Sequence, residues 1–289
     1  MNLGSLIKSN SKIIPIKSVI ALFLEWSQIV IVFLVNIEVN SVFLILPSII
    51  FIAFKMYACY SLLHEGIHFH LFKSKKMNDI VTSIFLSFPL YIPLKKMRIN
   101  HQLHHQFLQT EKDPEFAHLK YKEFQFPLSK KKFLSTAMLD LSGLNFIKYS
   151  INRVRNHSFF KNIDTENYAV ILFHGFLVLG FYLLGIEKFY LFLWVIPYCT
   201  VFLFLNRIRT YTEHFNLDDN SHHTRTLTLS GMKGYLFSPY NLGYHDIHHR
   251  YPTLPWHALK PIQKILVDEK GIAFYEEKEI ATLIKKVLQ

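Results

Sequence analysis

Charge is scarce in this chain of 289 residues: Asp, Glu, Lys and Arg together make up 18%, against about 25% in a soluble domain. Glycine occurs 10 times and cysteine twice, at Cys59 and Cys199, both inside apolar runs. Disordered and collagen-like chains need a different balance of charge and glycine, and a coiled coil needs more charge, so all three are excluded. Two cysteines in apolar surroundings do not make a disulfide framework. There is no CxxC pair, haem-attachment motif or glycine-rich dinucleotide-binding pattern, so redox chemistry here would need a separate electron donor. Acidic residues are outnumbered 21 to 32 by basic ones, for a net charge of +11. What is plentiful is apolar: 51% of residues are hydrophobic and 16% aromatic. A basic balance suits either nucleic acid or an anionic membrane surface. In so apolar a chain, with its basic residues flanking apolar runs, the membrane is the partner and nucleic acid is not.

Four stretches have about the ~20 apolar residues that cross ~30 Å of hydrocarbon: residues 19–36, 42–63, 168–185 and 188–206. Each pair is separated by a short loop, which predicts two helical hairpins. The start, Met1 to Pro15, is polar and mildly basic, and no small-residue cleavage site follows, so it does not read as a signal peptide. A shorter stretch, Ile80 to Leu94, contains Pro89 and Pro93 and is expected to be re-entrant or surface-lying. The two hairpin loops hold one basic residue, Lys188; Lys55 lies within a span, and the other 30 lie on the opposite side. The positive-inside rule makes that side cytoplasmic, with both termini. The expectation is an all-α integral membrane protein: one domain over 1–289, four transmembrane helices in two hairpins, and a cytoplasmic helical cap from 64–167 and 207–289. Phe133 to Ile151 is amphipathic and basic, as a helix lying on the membrane surface would be. Near the end, Ile280, Leu283, Ile284, Val287 and Leu288 recur at helical spacing.

Sixteen histidines are the oddest feature. Nine fall in four clusters: His64-Glu-Gly-Ile-His68 at the end of the second span; His101-Gln-Leu-His104-His105; His214, just past the fourth span; and His245-Asp-Ile-His248-His249. On a helix, positions i, i+3 and i+4 share a face, and the topology brings all four clusters to one side of the membrane. Neutral imidazole is the commonest metal ligand at physiological pH. Nine nitrogens exceed one tetrahedral zinc and suit two metals of four or five ligands each. Nitrogen-rich sites with open positions suit iron that activates O2.

Boxes of HxxxH, HxxHH and HxxHH, four spans and a further histidine after the second hairpin resemble the membrane fatty acid desaturase superfamily, which includes acyl desaturases, lipid hydroxylases and carotenoid ketolases. Asn100 before the second box, Asp113-Pro-Glu after it, and Asn241-Leu-Gly-Tyr-His-Asp-Ile-His-His-Arg-Tyr-Pro followed by Leu254-Pro-Trp also agree. The resemblance covers roughly Val19 to Lys260. It implies a histidine-ligated centre of two Fe ions with O2 as co-substrate. One iron would take His64, His68, His101, His105 and His249; the other His104, His214, His245 and His248. Animal-type members carry Asn four residues before the lone histidine. Thr210 stands there in this chain, leaving a place that water, or Asn241 folding back, would fill. The resemblance further implies a fatty acyl substrate, as membrane lipid or acyl thioester, and an electron donor of the ferredoxin, rubredoxin or cytochrome b5-like kind. Glu65, Asp113, Glu213 and Asp246 are candidates to orient the ligand imidazoles, with ordinary solvated charge as the alternative.

His64-Glu65-Gly-Ile-His68 also matches the HExxH signature of zinc proteases, with Glu65 as general base. That reading needs a further ligand, typically an Asp in a later span; spans three and four hold none, and seven clustered histidines would go unexplained. A zinc transporter would need its ligands at mid-membrane, where only His174 lies. The expectation for His174 is a structural hydrogen bond, and for His70, His118, His157, His222, His223 and His257 mostly surface positions. Glu25 and Lys55 fall at similar depth in adjacent spans and are expected to form an ion pair, unless Lys55 snorkels to the cytoplasmic face. Arg98, Arg207, Arg209 and Arg225 could receive a phosphate headgroup or an acidic donor protein, or be flanking charge.

Overall fold

The computed structural model of the chain describes residues 2–115, 124, 127–155, 163–214 and 224–288. His118, His157, His222 and His223 lie outside the described residues. Among the described residues, four helices are long and apolar enough to cross a membrane: Pro15–Val39, Val42–Ile67, Thr165–Leu183 and Glu187–His214. Two-residue strands, Thr226–Leu227 and Glu276–Glu277, pair in parallel in the cap; the other elements among the described residues are helices and turns.

The helices are longer than the apolar runs within them. Span two, of 26 residues, is about 39 Å long at 1.5 Å per residue, so its last turns stand beyond ~30 Å of hydrocarbon. Those turns carry His64 and Glu65. Span four runs on to His214. Two histidine clusters are thus mounted on the rigid ends of spanning helices. Local signals set the boundaries. Pro15 occupies the first turn of span one, Asn40 takes the left-handed conformation (φ 46°) that ends it, and Ser41 caps span two. Asp164 and Asn167 form a reciprocal capping box on span three. In span four, wider π-type turns at Leu191–Val195 and Tyr198–Phe202 flank Pro197.

Outward faces of the spans are apolar: Phe23, Phe43, Phe176 and Leu184 are among the most exposed residues, as expected against lipid. Inward, Ile52, Met56, Leu62, Leu63, Leu86 and Leu193 are fully buried, and Trp26 stacks on Trp194 with centroids 5.9 Å apart. The stretch Ile80–Leu94 packs among the spans. Its helix opens into a wide turn at Ser83–Ser87 and then breaks. The broken backbone's carbonyls need donors, which three spans supply. Trp26 Nε1 donates to Phe85 O (3.0 Å), His174 Nε2 to Phe88 O (2.8 Å) and Trp194 Nε1 to Pro89 O (2.9 Å). With its Nε2 donating, His174 accepts from the Tyr190 hydroxyl at Nδ1 (2.6 Å), and its ring stacks on Tyr91 at 3.7 Å. It serves as a structural bracket.

Glu25 and Lys55 form a fully buried ion pair at 2.9 Å. Tyr240 donates to Glu25 (2.7 Å), and the Tyr235 hydroxyl contacts Lys55. The pair therefore ties the first hairpin to the segment 231–241 rather than reaching for the membrane surface. The amphipathic segment forms two helices, Lys130–Leu141 and Leu144–Arg155. They expose Leu134, Met138, Ile147 and Ile151 and are anchored from beneath by buried Asp140, which pairs with Arg207 and accepts from Asn145. Ile280–Val287 is helical, and Leu288 just beyond it packs near Ile208 and Tyr211.

Candidate metal centre

Four helix ends deliver the nine histidines to one place. The second box lies on the helix Leu94–Phe107 and the third on the short helix His245–Arg250. Arg98, one turn before the second box, donates to the carbonyls of Ile67 (2.9 Å) and Gly66 (3.2 Å) and pairs with Asp79 at 2.6 Å. It thereby fastens the C-terminal end of the first-box helix to the second. Gly66, between the two histidines of the first box, is needed for close approach: a Cβ there would lie 2.4 Å from the Thr82 side chain.

Two groups of ring nitrogens result, each with its ligand atoms within 4.8 Å of one another: His64, His68, His101 and His248; and His104, His214, His245 and His249. His105 joins the first group, its Nε2 lying 3.0 Å from that of His101 and 3.1 Å from that of His248. This corrects the division expected from the resemblance, with His248 and His249 exchanging places. The cause is helix geometry. In HxxHH the i and i+4 rings are about 40° apart around the axis, whereas i+3 lies about 100° from i+4. So His101 and His105 act together while His104 crosses over, and likewise His245 and His249 act together while His248 crosses.

The donor set fits metal ions. Nε2 of His64, His68 and His104 is buried without a hydrogen-bond partner, a state that costs about 1–3 kcal/mol per group unless something binds there. In the second group, His245 Nε2 stands 2.8 Å from His214 Nε2 and 3.0 Å from His249 Nε2. Two ligands at about 2.1 Å from one ion lie about 3.0 Å apart at right angles and about 3.4 Å apart at the tetrahedral angle, so these edges match a metal of more than four ligands. The rings are also ready to bind. Burial and mutual proximity hold His68, His245, His248 and His249 well below the ordinary imidazole range. Burial lowers His101 to about 4 and His105 to about 2. All six are neutral at physiological pH, the form that binds metal. His104 is the exception: burial pushes it down, but Asp113, Glu115 and Glu213 outweigh that and raise it.

The carboxylates divide into those that stand behind a ring and those that do not. Asp113 places both oxygens 3.0 Å from His104 Nδ1 and also accepts from the backbone of Gln109 and Glu115. Glu65 Oε1 lies 3.9 Å from His64 Nδ1; its Oε2 accepts from His70 Nδ1 (3.1 Å) and from the Trp256 N–H (2.8 Å). Asn241 acts indirectly, donating to the carbonyl of Trp256 at 2.9 Å, the residue whose N–H meets Glu65, instead of folding back toward the histidines. Asp246 departs from expectation: it accepts from Arg250 (2.8 and 2.9 Å), Thr224 (3.0 Å) and the Tyr275 N–H (3.3 Å). Its helix turns it away from the imidazoles and into the cap. Glu213 lies in front of a ring, 3.8 Å from His245 Nε2.

Two residues were missed. His70 is buried and stacks on His68 at 5.5 Å; its place two residues after the first box was the available signal. Glu115 stands 3.7 Å from His101 Nδ1 and 3.9 Å from His104 Nε2, and it belongs to the Asp113-Pro-Glu run. The four arginines are committed inside the protein. Arg98 and Arg207 pair with Asp79 and Asp140, Arg209 with Glu213 at 2.7 Å, and Arg225 is buried, donating to the Thr212 carbonyl.

Against this geometry, the fatty acid desaturase family model matches residues 40–276. The chain belongs to the fatty acid desaturase family. A dihydrorhizobitoxine desaturase from Bradyrhizobium elkanii is 29% identical over 227 residues, which is 73% of this chain and 64% of that protein. The chain thus spans just under two thirds of the length of that relative. Family and fold together make it a membrane protein built of helices, with four candidate spans.

Proposed function

We propose that the protein is an O2-dependent di-iron desaturase that introduces a double bond into a fatty acyl chain in the membrane, presented as acyl-lipid or acyl thioester. The observation that carries this reading is the pair of buried histidine groups, each with its donor atoms within 4.8 Å, in a chain of the desaturase family. When bound, two irons supply the O2-dependent removal of hydrogen from an unactivated CH2, chemistry that side chains alone do not provide. The protein's own part is to hold nine imidazoles, to brace His104 through Asp113 with Glu65 standing behind His64, and to bury the site. The electrons come from an external donor of the ferredoxin, rubredoxin or cytochrome b5-like kind. By the positive-inside rule, the histidine face and both termini are cytoplasmic, and residues 1–289 act as one domain.

The same ligands would serve a lipid hydroxylase or carotenoid ketolase of the superfamily. The Bradyrhizobium relative is named as a desaturase, which favours double-bond formation. Product analysis of lipids from cells expressing the protein decides between them. A new double bond is expected. A new hydroxyl or keto group with no new double bond would overturn the desaturase reading, and dihydrorhizobitoxine is worth offering as a second substrate.

A further inference from the structure

The two histidine groups are unequal. The first has five rings and the second four, and neither Thr210, at the position where animal-type members carry Asn, nor Asn241, expected to fold back, makes up the difference. Thr210 donates its hydroxyl to the Asn206 carbonyl one turn back (2.9 Å), and Asn241 donates to the Trp256 carbonyl. Two carboxylates approach the second group instead. Glu213 Oε2 is 3.8 Å from His245 Nε2, and Glu115 Oε2 is 3.9 Å from His104 Nε2. The nitrogen matters. Nε2 is where His245 meets His214 and His249, so Glu213 faces the metal-binding side of the ring. Asp113 and Glu65 face Nδ1, the rear.

Two donors on one ion at about 2.1 Å each can stand at most about 4.2 Å apart, so 3.8 Å is within reach of a shared ion. Glu213 is better placed than Glu115: its side chain is 6% exposed against 41%, and Arg209 holds it at 2.7 Å. A carboxylate can accept from a guanidinium and bind a metal at once, and a buried anion beside a dication and Arg209 is compensated on both sides.

We propose that Glu213 is an oxygen ligand of the second metal, taking the place that Thr210 cannot fill and bringing that group to five donors. This rests on the two-metal reading above. The test is metal content per chain, by elemental analysis of full-length protein from iron-supplemented cells after dialysis against EDTA. Arg209→Met removes the competing partner and is expected to keep about two metals. Arg209→Met with Glu213→Leu leaves no lone buried charge and is expected to keep about one, with size-exclusion behaviour unchanged. Adding Thr210→Asn, a donor one turn before His214, is expected to return the content toward two. Two metals in the double variant, as resistant to EDTA as in wild type, would overturn the proposal. So would a loss that Thr210→Asn leaves unrepaired, since the site would then have collapsed rather than lost a donor. Wild-type protein without metal would strike down the two-metal reading itself, and the proposal with it.

Discussion

Replacing Asp113 by Asn removes the charge from behind His104 while keeping the shape of the side chain. In the native protein four contacts converge on this buried carboxylate: both oxygens lie 3.0 Å from His104 Nδ1, and the N–H groups of Gln109 and Glu115 donate at 3.0 and 2.8 Å. Asn offers one acceptor oxygen and one NH2, so a donor must face a donor somewhere in that arrangement. Losing such a brace typically costs 10–100-fold in metal affinity, or about 1.4–2.8 kcal/mol. His104 belongs to the second histidine group, so the loss should appear in the weaker of two metal-binding steps. The assay is competition against a chelating indicator, with metal returned stepwise to stripped protein. Asp246→Asn is the control: Asp246 is also buried and next to a histidine of a box, but its contacts are Arg250, Thr224 and Tyr275. It should leave metal affinity at the wild-type value. Equal affinities for the two variants would refute the assignment of Asp113 to the site.

Lys55→Met leaves Glu25 buried and uncompensated, and should cost about 3–5 kcal/mol; Glu25→Leu in the same chain should restore much of it, measured as thermal stability in detergent. Gly66→Ala should cost about 1–3 kcal/mol by overpacking against Thr82 and lower metal content, although residue 66 binds nothing itself. Metal-free protein should lose stability as pH falls below about 6.5, where unfolded imidazoles take up protons while folded His101 and His105 resist down to about 4 and about 2. The unfolded state binds more protons in that window, so melting temperatures that rise on acidification would contradict the buried neutral rings. His104→Ala or His248→Ala should abolish the lipid product while leaving the protein in the membrane; full activity in either would remove the metal assignment.

The boxes were legible because helical spacing carries its own geometry: i, i+3 and i+4 on short helices, and two helices that run out of the apolar layer with histidines on their ends. The same geometry, pressed one step further, separates His248 from His249, a distinction that the spacing alone contains and that the expected division had reversed. The supports were less legible because they are non-local. Glu65 is met by the backbone of Trp256, a residue far along the chain, and His70 reaches back to Glu65 around a helix end. Asp246 was misplaced for a related reason: adjacency to a histidine in sequence sends a side chain about 100° away on a helix, here into Arg250 and the cap. The Glu25–Lys55 pair could be read from depth alone, whereas Tyr235 and Tyr240, which complete it, come from short helical turns of the cap that hydropathy does not place.

Metal content of wild-type protein purified in detergent from iron-supplemented cells tests the central claim most directly. The two histidine groups predict about two irons per chain with zinc near zero. About one zinc and no iron would contradict that account and turn attention to the HExxH motif, with Glu65 as a catalytic base.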